Sequence, residues 1–117
     1  MSNINIDLIE KSFADGINDS EKNELIEVVK LVFDELNTGK IRVAEFVNND
    51  WVVNEWIKKA ILLSFRLKSN KIIDTGYTKF FDKLSSRFHD VTQQDLADKN
   101  IRVVPQAIAR EGTYIGE

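Results

Sequence analysis

The chain contains no cysteine, a single proline (Pro105) and a single histidine (His89). Without thiols it can form neither disulfides nor thiolate metal sites, which suits a cytoplasmic protein. One histidine cannot supply a paired-histidine metal motif. Long apolar runs are missing as well. The longest, AILLSF from Ala60 to Phe65, falls far short of the roughly 20 residues that cross a bilayer. The N-terminal MSNINIDLIEKS has neither the basic start nor the apolar stretch of a signal peptide. An excess of positive charge is absent, the net charge being −3, which argues against an electrostatic nucleic-acid binder. There is no phosphate loop, nucleophile elbow or dinucleotide fingerprint, and no linker or low-complexity stretch.

What is present fits one small domain. The 117 residues are of single-domain size, and a hydrophobic fraction of 43% fills a modest core. Charge is unevenly spread. Residues 1–39 hold three Lys against nine acidic residues, residues 40–87 hold ten Lys and Arg against five, and the last thirty are net −2. The basic middle is either an attractor for an anionic small molecule or an ordinary solvated surface.

Periodicity places the elements. IDLIEKSFADG reads as a short helix closed by Gly16. A longer helix follows, with Asp19 or Ser20 as cap, Glu21 and Glu24 at the positive end of its dipole, and Gly39 as its stop. Its apolar stripe is Leu25, Val28, Val29, Val32, Phe33 and Leu36. Residues 41–53 alternate around NND, predicting a β-hairpin that turns at Asn48–Asp50. Asn54 is placed to cap a second long helix, EWIKKAILLSFRLKS, with Trp56, Ile57, Ala60, Ile61, Ser64 and Leu67 on one face. Because Leu62 and Phe65 lie off that face, this helix is expected to be buried between layers or at a subunit contact. KIID reads as a short strand. TGYTKFFDKLSSRFHDV has aromatic residues without a period, and TQQDLADKN reads as a short helix capped by Thr92.

Few residues carry chemistry. His89 is a possible general base, but no Ser or Cys nucleophile pattern stands beside it, so a structural role is favoured. Lys58 and Lys59 either bind a carboxylate or phosphate or snorkel from a packed face, and Phe65 is a candidate contact by placement alone. Arg102, in an apolar stretch just before Pro105, suits a carboxylate through its planar fork; a salt bridge to one of the chain's own acids is the equal alternative.

The end of the chain carries a different period. Val103, Ala109 and Ile115 fall six apart, and the small residues Ala107 and Thr113 follow the first two by four. An inward residue every six positions is the signature of a left-handed parallel β-helix, which needs several coils before it can bury a core.

Three segments in order, GKIRVAEFVNNDWVVNEWIKKAILLSFRL, then FFDK, then IRVVPQAIAREGTYI, resemble the N-terminal part of the tetrahydrodipicolinate N-succinyltransferase family. The resemblance covers nearly the whole chain and is strongest from Gly39 to Leu67 and from Arg102 to Ile115. It departs at Leu84 and Ser85, where the family usually has Val-Pro, and at Gln106, where small residues are usual. It implies an α+β chain: a mostly helical domain over residues 1–100 with the hairpin near 41–53, and a truncated start of a left-handed β-helix over residues 101–117. It implies transfer of a succinyl group from succinyl-CoA to tetrahydrodipicolinate, on the route to diaminopimelate and lysine. It further implies a homotrimer with active sites between neighbouring β-helices. Arg102 matches the family's substrate-binding arginine. The catalytic aspartate and the CoA contacts belong to later repeats, so this chain is expected to hold no catalytic residue and bind no cofactor itself. Arg102 is then expected at the domain's exit edge with a free or loosely paired guanidinium. A stand-alone, non-catalytic module that binds a partner through the helix Trp56–Leu67 is the alternative.

Overall fold

A computed structural model of the chain describes residues 3–117. In order these are helix α1 (Ile6–Asp15), helix α2 (Lys22–Asn37), strands β1 (Ala44–Val47) and β2 (Asp50–Val53), helix α3 (Glu55–Leu67), strands β3 (Lys71–Asp74) and β4 (Lys79–Asp82), and helix α4 (Gln93–Asp98). The architecture is α+β: three packed helices and two separate antiparallel hairpins.

The helices start and stop where local chemistry dictates. The Asn5 side chain caps α1 by accepting from the Leu8 amide, and the Gly16 amide closes its last turn on the Ser12 carbonyl. At the end of α2 the Lys40 amide bonds the Glu35 carbonyl and the Gly39 amide bonds the Leu36 carbonyl. With Gly39 at φ +73°, this is a Schellman closure. Two expected caps differ. Neither Asp19 nor Ser20 caps α2; Asn18 takes the Ser20 amide and hydroxyl, and the helix begins after Glu21 with no side-chain cap. Asn54 stands at the N-cap of α3, but its amide group donates to the Arg42 carbonyl and to Glu45, tying the helix to the hairpin before it.

The core lies between α1, α2 and α3. Ile9, Leu25, Val32, Ile57, Ala60 and Leu63 are fully buried, and Leu8, Val29, Phe33 and Leu36 nearly so. Each large apolar side chain contributes about 1.5–3 kcal/mol by leaving water. Leu63 lies outside the stripe read from the sequence. It nevertheless follows Ala60 at helical spacing, and the buried stripe of Ile57, Ala60, Leu63 and Ser64 is the one that packs on α1 and α2. Leu62, off the expected face, stays 38% exposed.

The first hairpin pairs Phe46 with Trp51 and Ala44 with Val53. Its turn is Asn48–Asn49, both at positive φ, the geometry of a two-residue type I′ turn. Strand pairing therefore begins at Ala44 and resumes at Asp50. Phe46 and Trp51 meet at 5.4 Å between ring centroids, yet stay 61% and 65% exposed. The second hairpin pairs KIID with KFFD, so the aromatic stretch that showed no period supplies β4.

Residues 101–117 hold no strand, only an isolated bridge between Ser86 and Arg110. Val103 and Ile115 remain 37% and 40% exposed. The β-helical coil expected from the six-residue period is not formed among these residues; Ala109 is half-buried, and Val103 and Ile115 stay open. The Cα radius of gyration is 16.0 Å, against about 13 Å for a compact chain of this length. The excess fits two projecting hairpins and an extended tail.

Candidate functional site

The site grows out of α4. Its first turn is a capping box: the Thr92 hydroxyl accepts from the Asp95 amide, and the Asp95 carboxylate accepts from the Thr92 amide. Hydrogen bonds from the Thr92 backbone and then its side chain hold the Asp95 carboxyl below the usual carboxylate range. The cap is therefore retained at neutral pH and given up as the pH falls through that lowered value. The helix ends on Asn100, at φ +54°, with the Ile101 amide returning to the Leu96 carbonyl at 2.9 Å.

From there the chain runs without regular structure through Arg102 to a tight turn. The Ala107 amide bonds the Val104 carbonyl at 3.0 Å. With Pro105 second in the turn and Gln106 third at φ +71°, the arrangement is that of a type II turn, whose third position favours glycine. Among the described residues the Gln106 side chain reaches only the Tyr77 hydroxyl, at 3.5 Å. Gln106→Gly is therefore expected to raise stability by about 1 kcal/mol, through relief of the left-handed backbone. A chemical-denaturation midpoint that fell instead would show that the Tyr77 contact outweighs the strain.

Beside this loop lies an open groove of ≈ 380 Å³, lined among others by Phe88, Asn100, Arg102, Val103, Ile108 and Ile115. That volume is within the range of small-molecule sites. Apart from Asn100 and Arg102 its lining side chains are apolar or small, and among the described residues Arg102 is the one charged side chain there. Arg102 is exposed and makes no hydrogen bond or ion pair among the described residues. A smaller cavity of ≈ 40 Å³, lined among others by Asn37, Arg87, Asp95, Lys99 and Tyr114, shares the wall formed by Phe88, Ile101 and Ile115.

The tail beyond the groove is stapled to the body. The Arg87 amide bonds the Ala109 carbonyl at 2.8 Å. The Gly112 amide bonds the Asn37 side chain at 2.7 Å. Arg110 pairs with Asp82 at 2.9 Å, and Lys83 donates to the Phe65 carbonyl at 3.0 Å, at the end of α3. The FFDK segment thus joins β4 to both the tail and α3. The only sequence signal for this was the segment itself; nothing local named its partners.

The other candidates lie elsewhere. Lys58 is exposed on α3. Lys59 pairs with Glu10 at 2.5 Å and lies 5.7 Å from the Phe13 ring centre, joining α3 to α1. Phe65 is half-buried against the core. None of the three lines either cavity. His89 is exposed, its Nδ1 against the Ser86 carbonyl at 2.7 Å. Among the described residues, no group of three or more His, Cys, Asp or Glu is arranged to hold a metal ion. No helix among them is long and apolar enough to cross a membrane.

Comparison with known proteins matches residues 6–67, just over half of the chain, to a family described as tetrahydrodipicolinate N-succinyltransferase N-terminal. Curated relatives named 2,3,4,5-tetrahydropyridine-2,6-dicarboxylate N-succinyltransferase extend the match to the tail. One from Legionella pneumophila (strain Paris) is 41% identical over 114 residues, covering 95% of this chain and 41% of the relative. One from Nitrosomonas europaea is 50% identical over 91 residues, covering 78% and 33%. One from Alkalilimnicola ehrlichii is 51% identical over 90 residues, covering 77% and 33%. The chain spans about two-fifths or less of the length of these relatives.

Proposed function

The chain belongs to the tetrahydrodipicolinate N-succinyltransferase family, and from that premise we propose that it is the N-terminal part of an acyltransferase. The reaction joins the amino group of the ring-opened acceptor, 2-amino-6-oxopimelate, to the succinyl group of succinyl-CoA, in cytoplasmic diaminopimelate and lysine biosynthesis. A C–N bond forms at the thioester carbonyl, the C–S bond breaks, the CoA thiol leaves and the amine gives up a proton. This chain contributes positioning rather than proton transfer. Residues 1–100 form a helical domain, and residues 101–117 lead into a left-handed β-helix through which three subunits assemble. CoA and the catalytic groups belong to the sequence that follows.

The single observation that supports this reading is the state of Arg102. Among the described residues it is an unpaired guanidinium, in a mostly apolar groove at the exit of the helical domain. A planar fork of that kind takes a carboxylate through two parallel charge-assisted hydrogen bonds, which fixes orientation as well as position. The acceptor is a dicarboxylate, so one such contact leaves its amine free to face the thioester. The experiment is thiol release by the full-length protein. CoA should appear only when succinyl-CoA and tetrahydrodipicolinate are both present. Acceptor-independent release, or equal use of acetyl-CoA, would reject the reading.

A further inference from the structure

Between two anchors, the segment that carries Arg102 has no backbone hydrogen bond to the rest of the molecule among the described residues. One anchor is the Ile101 amide on the Leu96 carbonyl; the other is the Arg87 amide on the Ala109 carbonyl. The place of the Arg102 guanidinium is set by how firmly those two ends are held. The first end is the close of α4. The second is held by Arg87 a second time, because its side chain turns back across the tail. Its Nε donates to the Thr113 carbonyl at 3.0 Å, and its Nη2 reaches the Asn37 carbonyl at 3.4 Å.

Asn37 is the last residue of α2, where helix carbonyls lack partners inside the helix and the dipole is negative. A guanidinium is the side chain that suits both the carbonyl and the charge of that end. The Asn37 side chain meanwhile accepts from the Gly112 amide at 2.7 Å. Arg87 and Asn37 therefore clamp residues 109–113 onto the rigid end of a core helix. Arg87 lines the small cavity whose wall, Phe88, Ile101 and Ile115, is also a wall of the Arg102 groove.

We infer that Arg87 is a positioning residue for substrate: through the 109–113 clamp it fixes where Arg102 meets the carboxylate. This inference rests on the substrate role proposed for Arg102. Since misplacement of a binding group by about 1 Å costs up to about a hundredfold, loss of the clamp is read in kinetics. In the full-length protein, Arg87→Met is expected to raise the KM for tetrahydrodipicolinate about tenfold and to leave the KM for succinyl-CoA unchanged. Arg87→Lys, which keeps the charge but not the fork, should fall between wild type and Arg87→Met. If Arg87→Met does not fold, Arg87→Lys alone carries the comparison. In the 117-residue chain, the amide resonances of Ile101–Val104 should shift in Arg87→Lys along with those of Ala109–Thr113. An equal rise in both KM values, or shifts confined to Ala109–Thr113, would make Arg87 a purely structural residue and overturn the inference, with Arg102 unaffected. If Arg102→Met leaves the dicarboxylate KM unchanged, the substrate role of Arg102 fails, and the positioning role of Arg87 fails with it.

Discussion

Arg102→Met is expected to cost the full-length protein on the order of a hundredfold in kcat/KM for tetrahydrodipicolinate, about 3 kcal/mol of lost charge-assisted hydrogen bonding. Arg102→Lys should cost about tenfold, since an ammonium keeps the charge but cannot grip both carboxylate oxygens. The effect should fall on the KM for the dicarboxylate, with that for succinyl-CoA unmoved, as expected for a group that holds one substrate only. The folded state supplies a second, independent check. Arg102 is exposed and unpaired among the described residues, so both variants should unfold within about 0.5 kcal/mol of wild type. A residue that bridged this chain's own acids would instead lose stability on replacement. Steady-state kinetics with each substrate varied in turn, set beside urea denaturation of the 117-residue chain, separates the two. An unchanged dicarboxylate KM would end the substrate role.

Much of this was legible in the sequence, and what was not shares a physical cause. The apolar stripe of α2 and its Gly39 stop are local patterns, as is the Thr92 box, and local patterns survive folding. Leu63, three residues after Ala60 and four before Leu67, fits the helical period of that face, and its burial shows that the buried arc is centred nearer Ala60 than the expected stripe. Strand β4 was missed because its partner, not its own alternation, defines it. Most of all, the staples of the tail join residues far apart in the chain: Arg110 with Asp82 across 28 positions, and Gly112 with Asn37 across 75. An arginine in a sequence with nineteen acids has many possible partners, and only the fold chooses one. For Arg102 the two chemical readings stand level on residue type, and the unpaired state of its guanidinium among the described residues is what the proposed substrate role starts from. The open six-residue positions at Val103 and Ile115 follow the same rule in reverse. The pattern is local, but a spacing of six does not by itself bring its residues together, and residues 101–117 form no strand.

Gly39→Ala should cost about 3 kcal/mol in two separable parts. Gly39 sits at φ +73° as the residue that closes α2, and an L side chain there costs about 1–2 kcal/mol of backbone strain. A Cβ would also lie 3.0 Å from Cγ and Cδ1 of Tyr114, and 3.2 Å from Cδ2. The ring is 45% exposed and carries the Arg42 guanidinium 4.9 Å from its centre, so it can yield only by moving out with the tail. The next residues back, Thr113 and Gly112, are bound to Arg87 and Asn37. The new methyl must therefore push Tyr114 away from α2 and with it the end of the tail. A double-mutant cycle isolates that second part. In a Tyr114→Ala background, Gly39→Ala should cost only the backbone strain of about 1–2 kcal/mol, measured as the shift in urea midpoint. Equal costs in both backgrounds would mean that the ring is not held against Gly39. The tail would then owe its place to Arg87, Asn37 and the Asp82–Arg110 pair alone.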